Sequence, residues 1–397
     1  MSDVKKKGFK TLETDYEELD EQILEHRKYL LKRALQVIAI IAVLVIGVEL
    51  MYALRSFDDY EVRNELDRSS SSTAQYQMFG DSLLEYSNDG ITCIGKNNDI
   101  IWNQSFEMVL PEVQICGEYL VVYDAAGTKL FILTESGLEK SLEMTAPIQT
   151  VCIADQGTVA VLMKENQESQ VKLFDKKGNE LANGKFYGDK GGFPIDIALS
   201  YDGTKLAVDM VDVTQGKVKT TISFYNFGSV GQSEIDNNVG TYTFEDVIVP
   251  KIDYVSNARM IGMGTGKMLV FDGMQKPELA ETIEIEEEVQ SFFYNEKYIG
   301  IVYDNAEVEN SWHIKVMDMR GKTVMENDTT IAYDSIEFMS GNEICVTNAT
   351  QCEIFTIHSI KKFSYEFDKE LYKVFATGDG QNYTFIFKDT IEEVKLK

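Results

Sequence analysis

Val113-Gln-Ile-Cys-Gly117 followed at once by Tyr119-Leu-Val-Val-Tyr123 reads as an apolar strand, a tight turn and a second apolar strand. Its β-branched and aromatic residues suit a pleated, buried ladder, and the glycine suits the turn. The phrase returns upstream as Tyr76-Gln-Met-Phe-Gly80 with Leu83-Leu-Glu-Tyr-Ser87, and downstream as Ile148-Gln-Thr-Val-Cys-Ile153 with Val159-Ala-Val-Leu-Met163. Further copies start near Pro194, Lys251, Val289, Tyr333 and Leu371. A third strand often closes alike, as in Leu173-Phe174-Asp175, Val270-Phe271-Asp272 and Val316-Met317-Asp318. The units recur every about 37 to 56 residues, centred near about 42, which is the period of a four-stranded propeller blade.

These repeats predict an all-β fold, a β-propeller over residues 73–397. Eight units can be laid out, and the last lacks an obvious fourth strand. Residues just before the first unit can supply it and close the ring. Seven blades with a shared terminal blade is the alternative, because the first strand of the first unit is weak. Two stacked sandwiches would not return one strand–turn–strand phrase so many times.

Upstream of the repeats lies an apolar run, Ala34 to Leu54. At about 1.5 Å per residue it reaches roughly 30 Å, the thickness of a bilayer's hydrocarbon core. Arg27, Lys28, Lys32 and Arg33 precede it, and Lys5, Lys6, Lys7 and Lys10 stand further back. Arg55 follows, then Asp58, Asp59 and Glu61. Basic flanks stay on the cytosolic side, so the expected topology is a single-pass membrane protein with residues 1–33 inside and the repeats outside. A cleaved signal peptide fits poorly, since the run is long, starts late and is followed by no A-x-A-like site. Glu49, near the outer end, is read as snorkelling to the headgroups rather than contacting another helix.

Tyr16, Leu19, Ile23, Leu24 and Leu30 fall at helical spacing, which predicts an amphipathic helix leading into the span. Residues 55–72, with Ser69-Ser70-Ser71-Ser72, read as a polar stalk. From Ser56 onward the chain carries 29 basic and 56 acidic residues, which accounts for the whole net charge of −27. Such a surface repels nucleic acid and attracts cations and basic partners.

The five cysteines match no zinc spacing. Cys345 and Cys352 would face each other across a hairpin with the two-residue loop Asn348-Ala349, so a disulfide there is open. Cys93, Cys116 and Cys152 read as buried thiols.

The unit Leu83-Leu-Glu-Tyr-Ser-Asn-Asp-Gly90, Ile91-Thr-Cys-Ile94 and Ile100-Ile-Trp102 resembles the repeat of quinoprotein and WD40-like propellers. The whole chain resembles the bacterial family of unknown function 5711, found in Firmicutes. That resemblance rests on Phe79-Gly-Asp-Ser-Leu-Leu-Glu-Tyr-Ser87, Trp102-Asn-Gln-Ser-Phe-Glu107, Pro194-Ile-Asp-Ile-Ala-Leu-Ser200 with Asp202-Gly203, Phe224-Tyr-Asn-Phe-Gly228 and Val249-Pro-Lys251. It implies a single-pass protein with an exterior propeller and no assigned activity, and it supplies no functional residues.

No H-E-x-x-H, G-x-S-x-G or P-loop is present, and the three histidines are scattered. Inner strands offer Asp196 and Asp253, with Lys251 and Lys373 near them, but one carboxylate per blade is ordinary in so acidic a chain. A quinone cofactor would need more stacking groups than Trp102 and Trp312. The Asp-Gly pairs at Asp89, Asp202 and Asp379 read as hairpin turns rather than calcium loops. No catalytic residues, cofactor or metal are therefore expected. Tyr225, Phe227, Tyr242 and Phe244, in the longest unit, are the candidate interaction surface, with packing inside their own blade as the plain alternative. The expected function is a non-catalytic protein-interaction platform in the cell envelope, at the cell membrane, with an envelope protein as partner. The alternative is a cell-wall carbohydrate-binding or -cleaving module.

Overall fold

The structure is a computed structural model that describes residues 16–53, 55–68, 74–96, 99–188, 191–306, 308, 311–378 and 380–397, with helix side chains over 26–45. Two compact units form, Met1–Ser56 and Phe57–Lys397. In the first, the helix Tyr16–Ala53 joins the expected amphipathic stretch and apolar run without a break. Glu49 and the C-terminal part of the run lie outside the described side chains, as do Tyr16, Leu19, Ile23 and Leu24. Among the described residues no helix is long and apolar enough to cross a membrane.

The second unit is built from eight four-stranded antiparallel sheets. Blades 1 to 7 span residues 75–105, 111–143, 148–187, 193–245, 251–284, 289–329 and 335–366. Blade 8 takes three strands from 371–396 and its fourth from Tyr60–Asp67. The eight-bladed reading and the closing strand both hold. The stalk is corrected, because part of it is the outer strand of blade 8, pairing Tyr60 with Leu396 and Asp67 with Thr390. Its place within the stalk carries little signal because only Tyr60, Val62 and Leu66 are apolar; a sheet edge that faces water is made mostly of charged residues.

First strands of neighbouring blades lie side by side around the axis, as Phe193–Leu199 lies beside Lys251–Tyr254. Strand direction alternates, so the links between blades share one face, here the upper, with the turns between second and third strands. The other two turns of each blade form the lower face. Every outer strand carries one extra residue against its partner: Ile101, Glu139, Leu181, Val239, Ala280, Val324, Lys362 and, in the closing blade, Arg63. A bulge flips the side-chain alternation and tightens twist. At Arg63 it sends Tyr60 toward blade 7 and Leu66 toward blade 1.

The third turn of a blade is stitched to the outer strand of the blade before it. Trp102 Nε1 donates to the Glu135 carbonyl at 3.1 Å, Tyr242 Oη donates to the Pro277 carbonyl at 3.1 Å, and Glu326 N donates to Ser359 Oγ at 3.4 Å. Gly178, at φ +83°, sits so close to blade 2 that a Cβ would come within 2.8 Å of Leu142. The left-handed φ there is one that glycine adopts without strain.

Between blades, apolar side chains form one cluster per interface. The cluster between blades 7 and 8 holds 12 buried residues, whereas the one between blades 8 and 1 holds Tyr76, Ile386 and Ile391. Cys345 and Cys352 are free, both buried, with sulfurs 3.9 Å apart. They are not directly opposite as expected: Cys345 pairs with Ile354 and Thr347 with Cys352, because the two-residue loop is Ala349-Thr350, one residue later, with Asn348 N donating to the Gln351 carbonyl at 3.0 Å.

Candidate functional site

Two places gather side chains with chemistry. The first is the inner wall of blades 3 to 6. Lys251 Nζ lies 3.1 Å from Asp196 Oδ2, and Asp196 also accepts from the Ile252 amide at 2.9 Å. Tyr294 Oη donates to Asp253 Oδ2 at 2.9 Å, and Cys152 Sγ donates to the Ile197 carbonyl at 3.1 Å. Directly opposite Asp196 on the next strand stands Asp209, fully buried, and neither of its carboxyl oxygens has a hydrogen-bond partner among the described residues.

Burial dominates the titration of this group. It lifts Asp196 and Asp253 above the usual carboxylate range despite Lys251. Asp209 is pushed up to about 8, by burial and then by the Asp196 charge, so it holds its proton at neutral pH. Burial alone would lower Lys251; the charges of Asp196, Cys152 and Asp253 reverse that and raise it. The Cys152 thiol is pushed up to about 12, chiefly by burial, which leaves it protonated and a poor nucleophile. The proton is thus held on Asp209, beside the Asp196–Lys251 pair at the interface of blades 4 and 5.

Asp196, Lys251 and Asp253 thus meet as the sequence suggested, while Lys373 is elsewhere, paired with Glu337 at 2.5 Å. Asp209 was overlooked. Its signal was a lone acid inside the apolar run Leu206-Ala-Val-Asp-Met-Val211. The Asp-Gly turns are local: Asp202 Oδ1 takes hydrogen bonds from Ser200 Oγ at 2.6 Å and Thr204 N at 3.0 Å, and Asp379 lies outside the described residues. No group of three potential metal ligands occurs among the described residues. Trp102 is stitched to blade 2, and Trp312 meets Tyr333 edge-to-face at 5.5 Å.

The aromatic set of blade 4 divides between two interfaces, all four rings half-buried. Tyr225 and Phe227 face blade 3 and line a groove of about 410 Å³ with Leu173, Ala182 and Phe186. Tyr242 and Phe244 face blade 5, with ring centres 5.1 and 6.4 Å from Phe271.

The second place is the lower rim, where exposed apolar residues stand in the third turns or at the start of the outer strands. They are Ile100 and Ile101 in blade 1, Leu138 in blade 2, Leu181 in blade 3, Ile235 (86 % exposed) in blade 4, and Met274 and Leu279 in blade 5. Blades 6 to 8 begin the same strand with Thr323, Lys361 and Tyr60-Glu61. Sequence reading missed this arc because each residue is unremarked alone and only the blade register aligns them.

The model of a family of unknown function (DUF5711) matches residues 53–396. The chain belongs to that family. No curated protein matches it. Among solved structures, the DUF5711 fold is similar to BamB from Moraxella catarrhalis, with 13 % identity, TM-score 0.51, and 85 % of this chain and 100 % of that chain covered. It is also similar to a eukaryotic initiation factor, with 14 % identity, TM-score 0.51 and 83 % of each chain covered. Sqt1 from Saccharomyces cerevisiae aligns at 10 % identity and TM-score 0.50 over 86 % of this chain and 99 % of that one. At such identities the likeness shows the propeller fold alone.

Proposed function

We propose that the protein is a membrane-tethered, extracytoplasmic interaction platform that holds a protein partner against the lower rim of blades 1 to 5. The observation that carries this is the apolar arc from Ile100 to Leu279, with at least one exposed apolar side chain on each of five consecutive blades. Apolar groups scattered singly need no explanation, but exposed apolar side chains in or just after the third turn of five consecutive blades, all on one face, are what a docking surface supplies. The tether reading is supported by the helix. Leu35, Val37, Ile38, Ile40, Ile41, Val43, Leu44 and Val45 all stand exposed, an arrangement that water penalises and hydrocarbon favours. The basic residues before the run, against the single Arg55 just after it, support a cytosolic N-terminus.

Two measurements test the reading. A reporter fused after Lys397 is expected to be active only outside the cytosol; activity inside would overturn the topology. A photo-crosslinking residue at Leu138 in cells is expected to capture one defined protein that the same residue at Thr323 does not capture. Lipid adducts alone at Leu138 would move the arc to a membrane contact.

A further inference from the structure

We propose that the partner held on the lower rim is an integral membrane protein, and that it meets the arc with aliphatic side chains flanked by Lys or Arg. The inference deepens the interaction-platform reading and rests on it. A second series of residues runs along the apolar one. Each blade of the arc sets an exposed carboxylate next in sequence to an exposed apolar residue: Asp99 beside Ile100, Glu139 beside Leu138, Glu180 beside Leu181, Asp236 beside Ile235 and Glu278 beside Leu279. No Lys or Arg adjoins any apolar residue of the arc in sequence.

Local cations do not cancel this series. In the third turns of these blades Lys96 is paired with Asp81 at 2.9 Å and Lys276 with Glu234 at 2.5 Å, while Lys176 Nζ donates to Tyr119 Oη at 2.7 Å. Of the carboxylates beside the arc, only Glu180 has an ion pair among the described residues, with Lys172 at 3.0 Å. Lys140 and Lys177 are left to face Asp99, Glu139, Asp236 and Glu278, so the rim carries a surplus of negative charge.

The rim therefore attracts what is apolar and basic together. A bilayer surface offers apolar groups with the wrong charge, because exposed carboxylates repel anionic headgroups. A second copy presenting the same arc would set carboxylates against carboxylates. A protein surface with aliphatic side chains between Lys or Arg meets both demands: charge orients it, and the aliphatic contacts exclude water.

The class of partner follows from where the chain enters the propeller. Phe57 donates its amide to the Lys362 carbonyl at 2.7 Å, near the start of the blade 7 outer strand Lys361–Glu366. Tyr60 then opens the outer strand of blade 8, opposite Leu396. Outer strands begin on the lower face, so the chain enters on the face that carries the arc. With residues 34–54 as the anchor, that is the tethered face. A protein embedded in the same membrane meets it at a raised effective concentration, an advantage that a freely diffusing one lacks.

The test places a photo-crosslinking residue at Ile235 of the full-length chain in intact cells. One integral membrane protein is expected, joined at a site where Lys or Arg stands beside aliphatic residues. Its yield is expected to fall at least about tenfold when Glu139→Lys and Glu278→Lys are combined, since like charges then face each other. Glu143→Lys, at the upper end of the blade 2 outer strand, should leave the yield unchanged. Melting followed by circular dichroism checks that each variant folds. A soluble or acidic partner, or an unchanged yield in the folded double variant, would overturn the inference and leave the platform standing. Capture of a second copy would overturn it as well. Lipid adducts alone, or no product at Ile235 and Leu138 alike, would bring down the platform reading with it.

Discussion

Blade 8 has two sides, and they are built differently. Toward blade 7 it presents Tyr383, Phe385, Phe387, Val394 and Leu396 to a cluster that includes Phe363 and Phe367. Tyr60, from the other end of the chain, meets Tyr365 at 5.1 Å and Phe385 at 5.2 Å. Toward blade 1 it contributes Ile386 and Ile391, with a groove between the walls. A ring closed by a strand from the far terminus has one interface joined within the repeat and one where first and last units meet. The contrast teaches that closure here is secured on the blade 7 side.

That comparison can be broken at its strong side. Phe385→Ala removes a fully buried ring that touches Tyr60, Phe363, Phe367 and Phe387, and is expected to cost about 3–5 kcal/mol. Thermal unfolding followed by circular dichroism reads it. A loss below about 1 kcal/mol would remove the distinction between the two sides.

The interface of blades 4 and 5 is a useful third case, well packed yet electrically weak at Asp209. An unfolded Asp titrates near about 3.9, whereas folding lifts this one to about 8. The folded state therefore binds the proton more tightly. The stability from that proton is whole below about pH 4 and is lost as pH climbs through 8. Between pH 6 and 9 the wild type should lose about 2.7 kcal/mol at this site, and Asp209→Asn should abolish that slope. Parallel melts at the two pH values decide it; an unchanged slope in the variant would place the titration elsewhere.

Smaller effects are expected at the seam. Ile391→Ala should cost about 2 kcal/mol, the low end for its class, because its neighbourhood is already open. Smallest of all, Leu83→Phe should fill part of the groove and raise stability by about 0.5 kcal/mol. A large loss from Leu83→Phe would mean that the walls cannot admit a side chain, and the seam would not differ from its neighbours.

The propeller was legible because first, second and third strands are buried and repeat their apolar phrase in each blade. Outer strands face water, so Tyr60–Asp67 passed for a stalk and the bulges left no trace in composition. Asp196 and Lys251 stood out as polar residues on inner strands. Their company with Asp209 depends on the pairing of Asp196 with Asp209 across a ladder, which carries no local mark. Leu66, Met78, Leu83 and Ile94 are as apolar as any core residues; only comparison of the eight interfaces shows that they surround open space. The aromatic residues of blade 4 illustrate the reverse: Tyr225 and Tyr242 are close in sequence yet face opposite neighbours.

Phe57, the first residue of the propeller unit, donates its amide to the Lys362 carbonyl at 2.7 Å and bridges Phe363 of blade 7. Three residues later the chain enters blade 8 and pairs Tyr60 with Leu396, while Lys397 N donates to the Asp59 carbonyl at 3.0 Å. In mechanical terms, a pull transmitted through Ser56 meets blade 7 before it reaches the closing strand. The load is shared across two blades, and the clasp is shielded from being peeled open from its end. The ring is thereby fastened where it would otherwise be easiest to unwind.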